Sequence, residues 1–89
     1  MLRISEVGTA KGHRLLKLEG RIVGPWVEEL GNTCQALLDR KEGIKLDLAD
    51  VTFLDREGIA LLLKLKRRRV VLESCTPFIE QELTQGKTS

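Results

Sequence analysis

The chain has 89 residues, 42% of them hydrophobic and 31% charged, which is the composition of one ordinary folded domain with a single core. Fifteen lysines and arginines against thirteen carboxylates give a net charge of +2, which excludes a strong general attraction to nucleic acid or to an anionic membrane. Aromatic residues make up only 3%, so the chain has too few flat side chains to bind single-stranded nucleic acid by stacking.

The N-terminal segment and the cysteines both indicate a cytoplasmic protein. Charged residues interrupt the first sixteen positions, so the segment lacks the apolar core of a secretory signal. The longest apolar run, residues 59–63, is far shorter than the ~20 residues needed to span a bilayer, and we expect no membrane insertion. Cys34 and Cys75 form no C-x-x-C pair, which predicts two packed, reduced thiols.

The first half of the chain predicts a hairpin followed by a helix. Apolar and polar residues nearly alternate over residues 2–7, and a second apolar segment, residues 14–19, follows a turn flanked by glycines. So short a connection favours two antiparallel strands. Pro25 suits the first turn of a helix, whose apolar stripe runs to about Lys41 with Gly43 as its stop.

The middle of the chain predicts a second helix with one strand before it and one strand after it. Apolar and charged residues alternate over residues 44–48, which is typical of a strand, and we expect a loop over residues 49–54. A helix should begin near Asp55 and run to about Leu65, with apolar residues on more than one side, as in a helix packed against a sheet. The β-branched segment 69–73 predicts the last strand.

A third helix should open at Thr76 and Pro77, because threonine is a common cap and proline fits the first helical position. Its predicted apolar face consists of Phe78, Ile79 and Leu83. We place one domain over residues 1–84 and expect residues 85–89 to form a frayed tail.

The resulting order of elements is β-β-α-β-α-β-α. Because a helix separates each of the later strands from the next, these strands should pair in parallel, with the first strand added antiparallel. The sequence therefore predicts an α/β fold with a mixed four-stranded sheet and about three helices.

Residues 45–62, KLDLADVTFLDREGIALL, resemble the signature of the STAS domain, the family of the anti-sigma factor antagonists. In that signature a strand of the form hydrophobic-Asp-Leu-Ser-x-Val leads through x-Phe-Ile-Asp-Ser-Ser-Gly into a helix. Residues 18–22, LEGRI, resemble an upstream segment of the same family. The resemblance covers about residues 15–83 and implies a STAS-like fold and a cytoplasmic, non-catalytic protein that binds another protein in bacterial transcription regulation.

In this family the second serine of the Asp-Ser-Ser-Gly motif is phosphorylated by an anti-sigma factor that is also a serine kinase of the ATPase type. Asp55 and Gly58 match the motif, whereas Arg56 and Glu57 replace its two serines. The resemblance thus implies that phosphorylation at this site does not switch the protein. The chain also has a shorter connection after the second helix than the family and lacks its final strand, so we expect a fold truncated at the C-terminus, for which a homodimer would be one compensation.

The resemblance implies a partner-binding surface with the residues Thr52, Asp55, Arg56, Glu57 and Gly58. Three interpretations of Glu57 stay open: it suits the first turn of a helix, it imitates a phosphate imperfectly, or it gives polarity, together with Arg56, to the contact with a different partner. We favour the last slightly over phosphate imitation because Arg56 offsets the imitated charge. The implied partner is an anti-sigma factor kinase. Alternatively, the chain is a STAS-like cytoplasmic subunit of a lipid-transport or other membrane transporter complex and binds its ATPase.

One cluster of acids and one single histidine are the other candidates for a chemical site. Four acids follow one another near the predicted end of the third strand: Asp47, Asp50, Asp55 and Glu57. No glycine-rich phosphate loop accompanies them, so we expect no metal or other cofactor. His13 is the sole histidine and should be exposed beside the first turn, without a nucleophile near it in sequence. We therefore expect no enzymatic activity and no small-molecule substrate.

A basic run follows the second helix, and a lone tryptophan opens the first. The run consists of Lys64, Lys66, Arg67, Arg68 and Arg69. Cations suit the C-terminal end of a helix, which favours a solvated helix end over a specific nucleic-acid site, with an acidic partner as an alternative. Trp26 is predicted to lie in the core rather than at an interface.

Overall fold

The computed structural model describes residues 2–10 and 12–87, and its elements follow the predicted order. The strands are β1 (Leu2–Ala10), β2 (His13–Ile22), β3 (Gly43–Leu54) and β4 (Val71–Glu73), and the helices are α1 (Pro25–Asp39), α2 (Arg56–Arg67) and α3 (Pro77–Lys87). The strands form one sheet in the order β1-β2-β3-β4, with β1 antiparallel to β2 and the other neighbours parallel. The predicted mixed four-stranded sheet with three helices is therefore confirmed.

One face of the sheet carries the core. Leu16 pairs in register with Leu46, and Leu46 with Leu72, so these side chains lie on the same side of the sheet. The largest fully buried side chains are Leu18, Ile22, Leu30, Ile44, Leu46, Leu48, Leu62, Ile79 and Cys34. They come from β2, β3 and all three helices, which shows that the helices cover this face. On the opposite face Lys17 pairs in register with Asp47, and both charged residues are only partly buried.

β3 is longer than predicted, because it includes residues 49–54, where we expected a loop. This stretch keeps pairing with the end of β2, so that Gly20 lies opposite Val51 and Ile22 opposite Leu54. The register of the β2–β3 pair is irregular here, and buried residues recur at every third position instead of every second. The loop prediction was wrong because this part of the strand lacks the alternation of apolar and polar residues that predicts a strand.

α1 begins at Pro25 as predicted, but Gly43 does not stop it. The helix ends at Asp39, and Lys41 adopts the left-handed conformation with φ of +60°. The amide of Glu42 then donates to the carbonyl of Leu37 at 3.1 Å, which closes the last turn. The prediction for Gly43 was wrong because a lysine takes the left-handed position, and Gly43 is instead the first residue of β3.

α3 begins as predicted, and the hydroxyl of Thr76 accepts the amide of Ile79 at 3.3 Å. Ile79 and Leu83 are buried, but Phe78 is 39% exposed, so the prediction that Phe78 belongs to the apolar face is wrong. No helix in the described part of the chain is long and apolar enough to cross a membrane.

The helix α3 continues past residue 84 to Lys87. The final two residues of the tail that we predicted, 88 and 89, lie outside the described residues. The domain boundary and the truncated C-terminal end therefore stay predictions.

Four side chains singled out in the sequence have defined surroundings. His13, predicted to be exposed, is partly buried beside Gly43, where an added Cβ would lie 2.6 Å from the imidazole ring. Trp26 is partly buried against the core. Cys34 and Cys75 are free thiols, and burial raises the pKa of Cys34 to about 11.

Candidate functional site

The predicted site lies where α2 begins, directly after β3. Asp55 has an extended backbone, and its Oδ1 accepts the amide of Gly58 at 2.7 Å. The first turn of a helix leaves such amides without a partner inside the helix, so this bond fixes where α2 starts. Asp55 is therefore the N-cap of α2.

The same carboxylate also holds the start of α1. Oδ2 of Asp55 accepts the amide of Gly24 at 2.9 Å, across a sequence separation of 31 residues. Gly24 immediately precedes α1 and has φ of +53°, and no side chain within α1 caps that helix. One aspartate thus joins two helix starts at the neighbouring ends of the parallel strands β2 and β3. We call Gly24 together with residues 52–58 the helix-start surface.

Gly58 brings α2 close to β2. It is buried, and a Cβ added to it would lie 2.5 Å from the carbonyl oxygen of Ile22, closer than real side chains approach. The amide of Asp55 donates to that same carbonyl at 3.3 Å. A glycine is required here by the close backbone contact, so Gly58 supports the surface from below and does not face a partner.

Thr52, Arg56 and Glu57 are exposed. The hydroxyl of Thr52 donates to the carbonyl of Gly20 at 3.2 Å and so helps to fix the end of β3 on β2. Among the residues whose side chains are described, 2–9 and 12–84, Arg56 and Glu57 take part in no ion pair. Two opposite charges therefore project into solvent from the first turn of a helix whose start is held rigidly.

Phe53 and Arg21 lie beside Thr52 and were not predicted as site residues. Phe53 is 48% exposed, and the three residues line a shallow cavity of about 290 Å³. Exposed aromatic and arginine side chains are enriched in protein interfaces. An aromatic residue two positions before the helix cap was the available signal, but the loop assigned to residues 49–54 obscured it.

The acids weighed above as a cluster are not all directed at this surface. Oδ1 of Asp47 accepts the amide of Ala49 at 3.0 Å, and Asp50 lies 3.1 Å from the amine of Lys17. The hydrogen bond to Asp50 raises the pKa of Lys17. His13 lies at the opposite end of β2 from the helix-start surface. The groups that meet at this surface are thus suited to recognition by charge and shape.

Three comparisons with known proteins bear on this site. Residues 5–86 match the family model described as Mlab, STAS domain. The solved structure of the anti-sigma factor antagonist SpoIIAA in its unphosphorylated form is similar to this chain, with a TM-score of 0.73 and 16% identity over 89% of this chain and 79% of that chain. No curated protein matches the sequence. The family match includes the whole helix-start surface, and the structural likeness shows the same fold.

Proposed function

The chain belongs to the STAS domain family, and we propose that it is a cytoplasmic, non-catalytic regulatory module that binds a partner protein through its helix-start surface. The observation that carries the proposal is the exposed pair Arg56 and Glu57 on a first turn that Asp55 holds in place. This turn is anchored to two elements, so a partner binds a surface that is already formed. Binding therefore costs little free energy for ordering that surface. The similarity to an anti-sigma factor antagonist supports this class of function.

The partner that we propose first is an anti-sigma factor of the serine-kinase ATPase type. Arg56 and Glu57 have no hydroxyl, so the kinase could not modify the protein at this turn. A carboxylate carries about one negative charge where a phosphate carries nearly two. With Arg56 beside it, Glu57 therefore contributes to a polar contact rather than to a lasting imitation of the phosphorylated state. Such a module needs neither a cofactor nor a small-molecule substrate.

The second candidate is a STAS-like cytoplasmic subunit of a lipid-transport or other membrane transporter complex, whose partner would be the transporter ATPase. The missing hydroxyls at Arg56 and Glu57 favour it as well, because a permanently assembled subunit does not need a phosphorylation switch. The two candidates share the helix-start surface and differ in the partner that binds there.

The test begins with affinity purification of the tagged chain from its native cells and identification of the ATPase that copurifies. We expect Glu57→Arg to weaken that complex by about 10-fold or more, and Glu57→Gln to weaken it less, because only the first reverses the charge. Asp39→Arg is the control, since Asp39 is an exposed carboxylate at the far end of α1 from Gly24.

Recovery of a transporter ATPase in place of an anti-sigma factor would decide for the second candidate. Unchanged affinity across Glu57→Ala, Glu57→Gln and Glu57→Arg would contradict both, because Glu57 would then only suit the helix start. The affinities are measured by isothermal titration calorimetry with the identified partner.

A further inference from the structure

The end of α2 carries a cluster of cations at the opposite end of the helix from Glu57. All five are exposed: Lys64, Lys66, Arg67, Arg68 and Arg69. Within the described ranges 2–10 and 12–87 none of them pairs with a carboxylate, and Arg68 donates to the neutral amide oxygen of Gln35 at 2.5 Å. We call these five residues the basic cluster. Without them the chain has ten cations against thirteen carboxylates, so these five residues change its net charge from −3 to +2.

The helix dipole accounts for only part of this cluster. Three of its members lie in the last turn of α2, where cations are favourable, but the other two follow the helix. Arg69 adopts the left-handed conformation with φ of +70°. Its amide donates to the carbonyl of Lys66 at 3.1 Å, and the amide of Val70 donates to that of Leu65 at 3.0 Å. In this closing motif the left-handed position is usually a glycine, so the arginine is strained where the fold would favour another residue.

A groove with a mixed apolar and polar lining adjoins the basic cluster. It has a volume of about 610 Å³ and lies between α2, β4 and α3. Its apolar wall includes Leu63, Val71 and Leu83, and Val71 is 39% exposed. Lys66 lines it from α2, and Glu80 is the one carboxylate among its described lining residues. β4 is the last strand of the sheet, so no neighbouring strand covers this side among the described residues. Cations and exposed apolar surface thus meet along one edge of the domain.

We propose that the basic cluster and this groove together bind an acidic amphipathic segment of a partner protein. Its carboxylates would lie against the arginines, whose planar groups suit carboxylates, and its apolar side chains would fill the groove. A nucleic acid fits less well, because its backbone has no apolar side chains to place in the groove and neither the cluster nor the groove lining offers an aromatic ring for base stacking. The surface is separate from the helix-start surface, since α2 has 12 residues and is ~18 Å long.

The probe for this proposal is a synthetic peptide of about 14 residues with leucines at helical spacing on one face and glutamates on the other. A second peptide has serines in place of the leucines and the same charge. We expect the protein to bind the leucine peptide about 10-fold or more tightly than the serine peptide. The double substitution Arg67→Gln/Arg69→Gly should weaken that binding about 10-fold or more at low salt, because it removes two of five charges.

Two controls locate the peptide. Lys41→Gly changes a lysine at the same left-handed position after α1, in the segment 39–42 whose charges cancel, and should leave peptide binding unchanged. Cys75 lines the groove and is partly buried, whereas Cys34 is fully buried. Bound peptide should therefore slow the alkylation of Cys75 measured by mass spectrometry.

Several outcomes would overturn the proposal. Equal binding of the leucine and serine peptides would exclude the groove, and unchanged binding after Arg67→Gln/Arg69→Gly would exclude the basic cluster. Tighter binding to duplex DNA, or to vesicles of phosphatidylglycerol, than to the leucine peptide would assign the cations to phosphate instead. Circular dichroism of each variant shows that the fold is retained before the affinities are compared.

Discussion

The two ends of α2 are held in different ways. At the start, Asp55 caps the helix with its side chain and Gly58 packs against the distant carbonyl of Ile22. At the end, backbone hydrogen bonds close the last turn, and Arg69 is strained. The start thus depends on the identity of two residues, whereas the end would be more stable with a different residue. Side chains that the fold does not need, such as Glu57 and Arg69, are the ones to test for binding.

The largest effect is expected from Gly58→Ala. The new Cβ would lie 2.5 Å from the carbonyl oxygen of Ile22, which is backbone and cannot move aside without shifting β2. We expect the free energy of unfolding to fall by about 2–3 kcal/mol, as in other overpacked cores. Urea denaturation followed by circular dichroism measures it.

Gly31→Ala is the matched control for that substitution. A Cβ at Gly31, inside α1, would meet Leu61 at an ordinary 3.4 Å. Its higher helix propensity should therefore raise the free energy of unfolding by about 0.5–1 kcal/mol. If both alanines changed the stability by the same amount, the close contact beneath the helix-start surface would not exist.

A smaller loss of stability than for Gly58→Ala is expected from Asp55→Ala. This substitution removes the hydrogen bonds that the carboxylate accepts from the amides of Gly24 and Gly58. The expected cost is about 2 kcal/mol, the upper end for a helix cap, because the same group also joins α1. Thr76→Ala removes a single cap bond from α3 and should cost about 0.5–1 kcal/mol. If urea denaturation gave the same loss of stability for Asp55→Ala and Thr76→Ala, the hydrogen bond from Gly24 to Asp55 would add nothing to the stability.

The start of α2 was predictable because its signals are local. An aspartate before an apolar helical stripe indicates a cap, and this places Glu57 in the first turn from the sequence alone. The hydrogen bond between Gly24 and Asp55 and the contact of Gly58 with Ile22 each join residues more than 30 positions apart. No local pattern carries such contacts, so the sequence predicted the cap without its second partner.

Elsewhere the predictions failed where a residue took an unusual backbone conformation or period. Gly43 was expected to end α1, but Lys41 occupies the left-handed position, and Arg69 does the same after α2. Propensity favours glycine there, and it cannot reveal an arginine or lysine that is tolerated under strain. The irregular register of β3 likewise concealed the strand that carries Phe53 to the helix-start surface.

A small effect is expected from Arg69→Gly, comparable in size to that of Gly31→Ala, and it should be a gain. Glycine adopts φ of +70° without the clash of a Cβ, so the free energy of unfolding should rise by about 0.5–1 kcal/mol, after allowance for the greater freedom of glycine in the unfolded chain. Lys41→Gly should give a similar gain at the corresponding position after α1.

Arg69→Ala separates the two causes of that gain. If the gain comes from the backbone, alanine will not reproduce it, because alanine also has a Cβ. If it comes from repulsion within the basic cluster, alanine will match glycine and the gain will fade in about 1 M salt, where charges are screened over a few ångströms. A loss of stability in Arg69→Gly by urea denaturation would contradict the strain at this end of α2. If Arg69→Gly gains stability and also binds the acidic peptide more weakly, then Arg69 contributes to peptide binding and destabilises the fold.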